Sequence, residues 1–367
     1  MEHQEMQETP QKERTRWIPI WAKLLIVILA LAGSVAYGFY KVGAGISNPE
    51  TIAKEYIKDL AAGQYENAYD ALKLADETWF GARKFAQAMD AAFAQCTIGD
   101  ISASAGRKQK QENGTLTRQV KVSFTTDSGE TREWLVDLVQ DGKLLNIYDN
   151  WRIMPTEIMQ ENWTVAVPTG AQLTVDQIHV SGDYLQRTQT YEDAAGATQD
   201  VYVLPQVFRG DYRVQVALED CIPWQGQLST DSMQSVSLEP EGWFYDGIGK
   251  KLEKAHRTAF DAIFHGGKLE KLQEYADLYS MFYQKTKERS SGVDKTYDKW
   301  KNIKVNGVTI DKFEILDSRH IRVTYTVRET RVPKDGSGSR EQTERGTVMM
   351  ERRNDSYIIT LDENGGS

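Results

Sequence analysis

Pro49-Glu-Thr-Ile-Ala-Lys-Glu-Tyr-Ile-Lys-Asp-Leu-Ala-Ala-Gly-Gln-Tyr65 decides how the chain is read. Ile52, Tyr56, Ile57 and Leu60 fall near one face of a helix over Thr51–Ala62, and Gly63 is placed to end it. Two further helices are expected, over Ala68–Leu74 and Phe80–Phe93. From Thr97 the period changes. Val120, Val122 and Phe124 alternate within Leu116–Phe124, and strands over Trp134–Val139 and Leu144–Tyr148 follow. Asp127-Ser128-Gly129 and Asp141-Gly142 are the expected turns between them. Helices first and an antiparallel meander after make residues 48–155 an α+β domain.

Downstream, residues 160–240 read as all-β. Strands are expected over Trp163–Val167, Gln172–Val175, Val201–Val207, Tyr212–Leu218 and Ser235–Leu238, punctuated by Gly170, Gly182, Gly196, Gly210 and Gly226. That is a small sandwich of immunoglobulin-like size. Gly242–Phe264 is helical again, Gly266-Gly267 breaks it, and a helix over Lys268–Lys287 is expected next. Strands return over Val305–Ile310, Phe313–Leu316, Ile321–Val332, Glu344–Arg352 and Tyr357–Leu361. The order is that of the first module. Asp59–Gly63 ahead of Tyr65 answers to Ala262–Gly267 ahead of Leu269, and the turns at Asp127–Gly129 and Asp335–Gly338 correspond. The expected architecture is therefore α+β, with two similar α+β domains, 48–155 and 242–367, flanking a sandwich-like all-β domain.

Upstream lies a membrane signal. Between Ile18 and Tyr40 the only charge is Lys23, and Leu24–Tyr40 is an uncharged run. That run alone, at 1.5 Å rise, covers about 26 Å, and Ile18–Ala22 with a snorkelling Lys23 completes a span over 18–41. Trp17, Trp21, Tyr37 and Tyr40 suit the two interfaces. Lys12, Arg14, Arg16 and Lys23 crowd the N-terminal side, which places residues 1–17 in the cytoplasm and the rest outside the cell membrane. Ala30-Leu31-Ala32 has the form of a signal-peptide cleavage site, but the apolar run continues past it, as an anchor does. Ala30, Ser34 and Gly38 form a stripe of small residues along the span.

Charge is unevenly spread. The net charge is −9 over 367 residues, with −14 between residues 42 and 249 and +4 from 250 onward. An acidic middle argues against nucleic acid as partner. The basic end suits anionic wall polymers, lipid heads or plain solvent. Cys96 and Cys221 are the only cysteines; they fall in different expected domains, and no bridge between them is expected.

The helix–Gly–aromatic–helix opening followed by strands resembles the NTF2-like fold, and residues 49–65 look like the NTF2-like N-terminal domain of MecA-type penicillin-binding proteins. The bridge Tyr148-Asp-Asn-Trp-Arg-Ile-Met-Pro155, with Trp163-Thr-Val-Ala-Val-Pro-Thr-Gly170 after it, resembles the extracytoplasmic region of TcaA-like proteins, glycopeptide-response membrane proteins of Gram-positive bacteria. That resemblance implies a cell-envelope protein. It runs in order over residues 18–367.

Catalytic patterns are missing. No serine has lysine three residues on, as a penicillin-interacting nucleophile needs, and neither a GxSxG elbow nor a GxxxxGK[ST] loop occurs. His3, His179, His256, His265 and His320 show no helical zinc spacing and read as surface or structural. The cluster Tyr148, Asp149 and Trp151 is the one place where an NTF2-like pocket could hold a shifted acid, against a plainer reading as a strand-ending turn with the indole in the core. Trp79 with Phe80, and Tyr279 with Phe282 and Tyr283, read as core; Asn113, Asn162 and Asn354 begin chance glycosylation patterns. No catalytic, cofactor-binding or metal residue is assigned, and no cofactor. The expected function is a non-catalytic, single-pass envelope protein that binds or senses a wall component (peptidoglycan or teichoic acid) or a partner membrane protein. The alternatives are an enzyme using an NTF2-like pocket and a structural spacer. Expected partners are the lipid bilayer and one of these ligands, without nucleic acid.

Overall fold

The computed structural model describes residues 20–74, 77–93, 97–144, 146–194 and 196–362. The expected cytoplasmic tail, His3 and Cys96 lie outside the described residues. The uncharged run forms α1 (Ile20–Ile46), whose stretch Ala22–Gly43 has a mean hydropathy of 2.0. Leu24, Ile28, Leu31, Val35 and Tyr40 are all exposed, so the helix presents apolar side chains around its circumference. It is long and apolar enough to cross a membrane. The rest divides into two compact units, residues 1–77 with 81–157 and residues 78–80 with 158–367.

In the first unit, α2 (Pro49–Ala61) starts at Asn48, whose side-chain oxygen accepts from the Glu50 amide at 2.9 Å, with proline at the first helical position. It ends at Gly63, which takes φ +69, a left-handed angle that costs glycine nothing. Then come α3 (Tyr65–Asp70) and α4 (Ala82–Phe93), followed by β1 (Ile98–Ala105), β2 (Gln109–Lys110), β3 (Leu116–Thr126), β4 (Thr131–Leu144) and β5 (Tyr148–Met154). The antiparallel sheet runs β1-β3-β4-β5, with β2 on β3. Ala53, Tyr56, Ile57 and Leu60 of α2 are buried, as are the alternating Val120, Val122 and Phe124 of β3. After α3 the chain docks on the last strand: Leu72 bridges Ile153, with Lys73 N–H donating to Ile153 O at 2.8 Å and Ile153 N–H to Ala71 O at 2.9 Å.

Two local expectations change here. Asp141-Gly142 is no turn; it is a bulge inside β4, Gly142 at φ +73 absorbing the register shift, and the reversal comes at Asn146, φ 59. The helix expected from Phe80 begins at Ala82, since Glu77–Trp79 form a 3₁₀ turn and the Trp79 and Phe80 rings are committed to Tyr184 and Phe208.

The second unit opens with short strands: β6 (Met159–Pro168), β7 (Gln172–Val175), β8 (Ile178–His179), β9 (Leu185–Thr190), β10 (Thr198–Phe208), β11 (Asp211–Ala217), β12 (Cys221–Ile222), β13 (Trp224–Ser229), β14 (Gln234–Ser235) and β15 (Glu239–Pro240). They make two four-stranded sheets, β14-β6-β10-β9 and β13-β11-β7-β8, and the small pair β12-β15. Trp163 of one sheet meets Tyr212 of the other at 5.1 Å between ring centroids. Trp79 packs edge-on to Tyr184 at 5.2 Å and Phe80 edge-on to Phe208 at 4.8 Å. This core runs without a break into the next module, through Phe244, Ile248 and Leu252 of α5 (Gly242–Phe264).

After α5 come a 3₁₀ turn (Leu269–Glu274), α6 (Met281–Ser290) and the sheet β16-β17-β18-β19: β16 (Trp300–Ile315), β17 (His320–Pro333), β18 (Arg340–Arg353) and β19 (Ser356–Asp362). The devices of the first unit recur. Gly266 ends α5 at φ +68, and Ala276 bridges Ile359, with Asp277 N–H donating to Ile359 O and Ile359 N–H to Tyr275 O, both at 2.8 Å. That bridge is why the single helix expected over 268–287 does not form: the backbone at 275–277 is committed to β19, and α6 starts afresh from Ser280, whose hydroxyl accepts from the Tyr283 amide. The two strands expected over 305–316 are one long β16, bent by shifts at Val305/Gly307 and Ile310/Lys312.

Candidate functional site

The cleft of the last module is built by two helix faces and three strands. His256, Ala259, Phe260 and Ile263 of α5 keep the i, i+3, i+4, i+7 spacing of one face, and Phe282, Lys285, Thr286 and Arg289 of α6 keep the same spacing. Tyr325 and Val327 of β17, with Glu344, Arg345 and Gly346 of β18 and Asp362 of β19, close the other side. They enclose a chamber of about 160 Å³. It continues into an open groove of about 940 Å³ that includes Asn306, Arg328, Arg331, Glu341 and Thr343, the two spaces sharing Arg289, Tyr297 and Glu344.

Gly346 makes room for this geometry. It sits directly across from Tyr325 in the β17–β18 register, and a Cβ there would lie 2.9 Å from the tyrosine hydroxyl. Tyr325 Oη is 3.0 Å from His256 Nε2, and the Phe282 ring stands edge-on to the imidazole at 5.0 Å. Burial pushes the imidazole down to about 4 and the Tyr325 phenol well above its ordinary value. Both are neutral near pH 7. The pair can exchange hydrogen bonds with a guest, while neither group titrates where a general base works best.

The rim is charged. Arg331 bridges Glu329 at 2.8 Å and Glu344 at 2.9 Å, and burial raises the Glu329 carboxyl even so. Arg289 reaches Asp294 at 2.8 Å and lies 4.4 Å from the Tyr297 ring centroid. Hydrogen bonds from Thr296 and Arg289 hold Asp294 down to about 2, while burial pushes Tyr297 up to about 12. Trp300 Nε1 is buried with no acceptor among the described residues.

The residues singled out from sequence lie elsewhere, with two exceptions, Phe282 and His256. Trp151 is buried, and Asp149 on β5 is taken up by Lys108 at 2.7 Å and Gln140 at 2.8 Å. His179 is exposed on β8; His265 meets Asn302 Oδ1 at 3.1 Å; His320 Nδ1 bonds the buried Asp317 carboxylate at 2.9 Å. Cys221 is a buried free thiol pushed up to about 12 by burial. Of Tyr279, Phe282 and Tyr283, only Phe282 reaches the chamber; Tyr283 is buried and Tyr279 is 89% exposed. His256 is the other, read from sequence as structural and found on the chamber wall. The available signal was its place at the head of an apolar i, i+3, i+4, i+7 face. Among the described residues, no group of three His, Cys, Asp or Glu side chains is arranged to hold a metal ion.

The profile of the family described as the NTF2-like N-terminal transpeptidase domain matches residues 48–154, so the first module is an NTF2-like domain. No curated protein matches the chain. Among solved structures, the chain is similar to an NTF2-like protein involved in plasmid conjugation, 8% identical, with 84% of this chain and 92% of that one aligned and a TM-score of 0.22.

Proposed function

We propose that this chain is a single-pass, non-catalytic binding protein of the cell envelope, and that the cleft of its last module is the binding site for a wall component. The observation that carries the reading is the chamber opening into a groove, a void of ligand size in which a few aromatic and aliphatic walls stand among polar and charged side chains. The groove is open enough for a polymer segment to lie along it. The His256–Tyr325 pair supports binding over catalysis, since both groups stay neutral across the physiological range. The repeated glycine stop and strand bridge support reading residues 242–367 as a second NTF2-like domain, and hence a TcaA-like arrangement of two such modules around a β sandwich. The basic residues ahead of α1 support a cytoplasmic N-terminus and an outward-facing cleft. Peptidoglycan and teichoic acid are the candidate ligands.

The full chain in lipid nanodiscs, mixed with intact Gram-positive sacculi, should sediment with them. With net +4 charge from residue 250 onward, a teichoic-acid contribution should fade towards 0.5 M salt, where the Debye length is roughly 4 Å. Retention of all protein in the supernatant at low salt refutes the proposal and leaves a partner membrane protein as the candidate.

A further inference from the structure

We propose that the chamber takes the compact apolar end of an amphipathic anion, whose carboxylate or phosphate is held by Lys285 at the α6 rim. This rests on the reading of the cleft as a binding site and adds the class of ligand.

The chamber is kept open by residue choice. Ile153 pairs with Leu138 in the first module, and Ile359 with Met350 in the second, so the two bridge points bring β4 and β18 into correspondence. Four residues back along each strand, Trp134 faces Val122 in the first module, while Gly346 faces Tyr325 in the second. An indole thus stands where the second module leaves the space open. Counting back equally from Gly63 and Gly266 sets the buried Ala53 against His256. Only the Trp134 position is emptied, as Gly346; at the other two, Ala53 and Val122, the second module carries the larger and more polar His256 and Tyr325.

The dimensions and chemistry set the guest. At ~30 Å³ per water the chamber holds about five waters, the size of one ring or a short chain. Phe260, Phe282, Ile263 and Val327 offer it apolar walls. His256 spends Nε2 on Tyr325, and its other nitrogen has no protein partner among the described residues, which leaves one hydrogen bond for a polar atom of the guest. At the mouth, Arg289 and Arg331 already hold carboxylates, as does Glu344 its arginine. Lys285 is half-buried and has no ion-pair partner among the described residues. Glu344 and Asp362 line the same chamber, but Lys285 forms an ion pair with neither, and a partly desolvated cation without such a partner gains from an arriving anion through a charge-assisted hydrogen bond.

The test uses the full chain in nanodiscs with three probes: 3-phenylpropionate, its neutral amide, and inorganic phosphate. Calorimetry should show the carboxylate binding about tenfold tighter than the amide, the size of one charge-assisted hydrogen bond. Lys285→Gln should erase that difference, and Ile263→Trp, which fills the chamber, should abolish binding of both. The ¹⁵N resonances of His256 should move with either organic probe and stay put with phosphate, a readout that does not depend on a variant folding. Equal affinity for acid and amide overturns the proposal. So does phosphate binding as well as the carboxylate, or unchanged binding in Ile263→Trp. If the probes fail while the parent chain still sediments with sacculi, the ligand class falls and the binding reading survives. If sedimentation is also absent, both fall.

Discussion

Residues 48–154 and residues 242–362 share two backbone devices and use them to opposite ends. Each ends its long helix on a left-handed glycine, Gly63 or Gly266, and each pins the following segment to its last strand through a parallel bridge, Leu72 to Ile153 or Ala276 to Ile359. The first then fills itself. Tyr56 and Tyr69 crowd the Phe85 ring at 6.5 and 5.9 Å, and Trp134 packs on Phe93 at 4.8 Å. The second keeps Gly346 where the first has Trp134 and lines the resulting space with His256 and Tyr325. Backbone hydrogen bonds fix the frame, and side-chain volume at a few inward positions decides whether it is a core or a container.

The largest expected effect separates filling from lining. Phe85 is fully buried, so Phe85→Ala should cost about 3–5 kcal/mol, whereas Phe282→Ala, at a half-buried wall beside an existing void, should cost less than half as much. Hydrogen exchange read separately over α4 and α6 checks this, and equal losses would erase the contrast between the modules.

Acid should then distinguish them. The His256 imidazole lies near 4 when folded and near 6.5 when unfolded, so on acidification the unfolded chain takes the proton first. The stability it protects is complete above pH 6.5 and is lost as pH falls towards 4, by up to about 3 kcal/mol. Exchange protection of α5 and β17 should weaken across that window in the parent chain, and His256→Phe should flatten this component. The first module has Ala53 at the corresponding place and no such contribution there.

Gly346→Ala comes next. Its Cβ would force Tyr325 away from His256, and overpacking of this kind costs about 1–3 kcal/mol. The imidazole ¹⁵N signals should report the broken bond, and an unchanged spectrum would deny that Gly346 sets the chamber. The smallest difference concerns helix starts. Asn48→Ala and Ser280→Ala should each cost about 1 kcal/mol, because both modules rely on a side-chain cap of the same kind.

Much of the scaffold was legible in the residues, and the candidate site was not. The single apolar span, the face of α2, the extent of α5 and the alternation of β17 all follow from periodicity, because each records which side of one element meets a core. The stops at Gly63 and Gly266 follow from backbone sterics alone. By contrast, the Asp141-Gly142 bulge could not be told from a turn, since either accommodates a left-handed glycine, and the register that distinguishes them is set by β5. The break at residues 275–277 depends on β19, some eighty residues away in the chain. The core shared by the β region and α5 belongs in the same class.

By itself, then, the sequence determined the order of helical and strand regions, the faces of the long helices and the membrane-length helix, all consequences of local period and hydropathy. Only the tertiary structure decided that Gly346 faces Tyr325, that two helix faces stop short of closing on them, and that His256 stands at the wall of the resulting space. The physical reason is that a residue's own pattern says which face is buried, while a void depends on the summed volume of side chains that long-range pairing brings opposite one another.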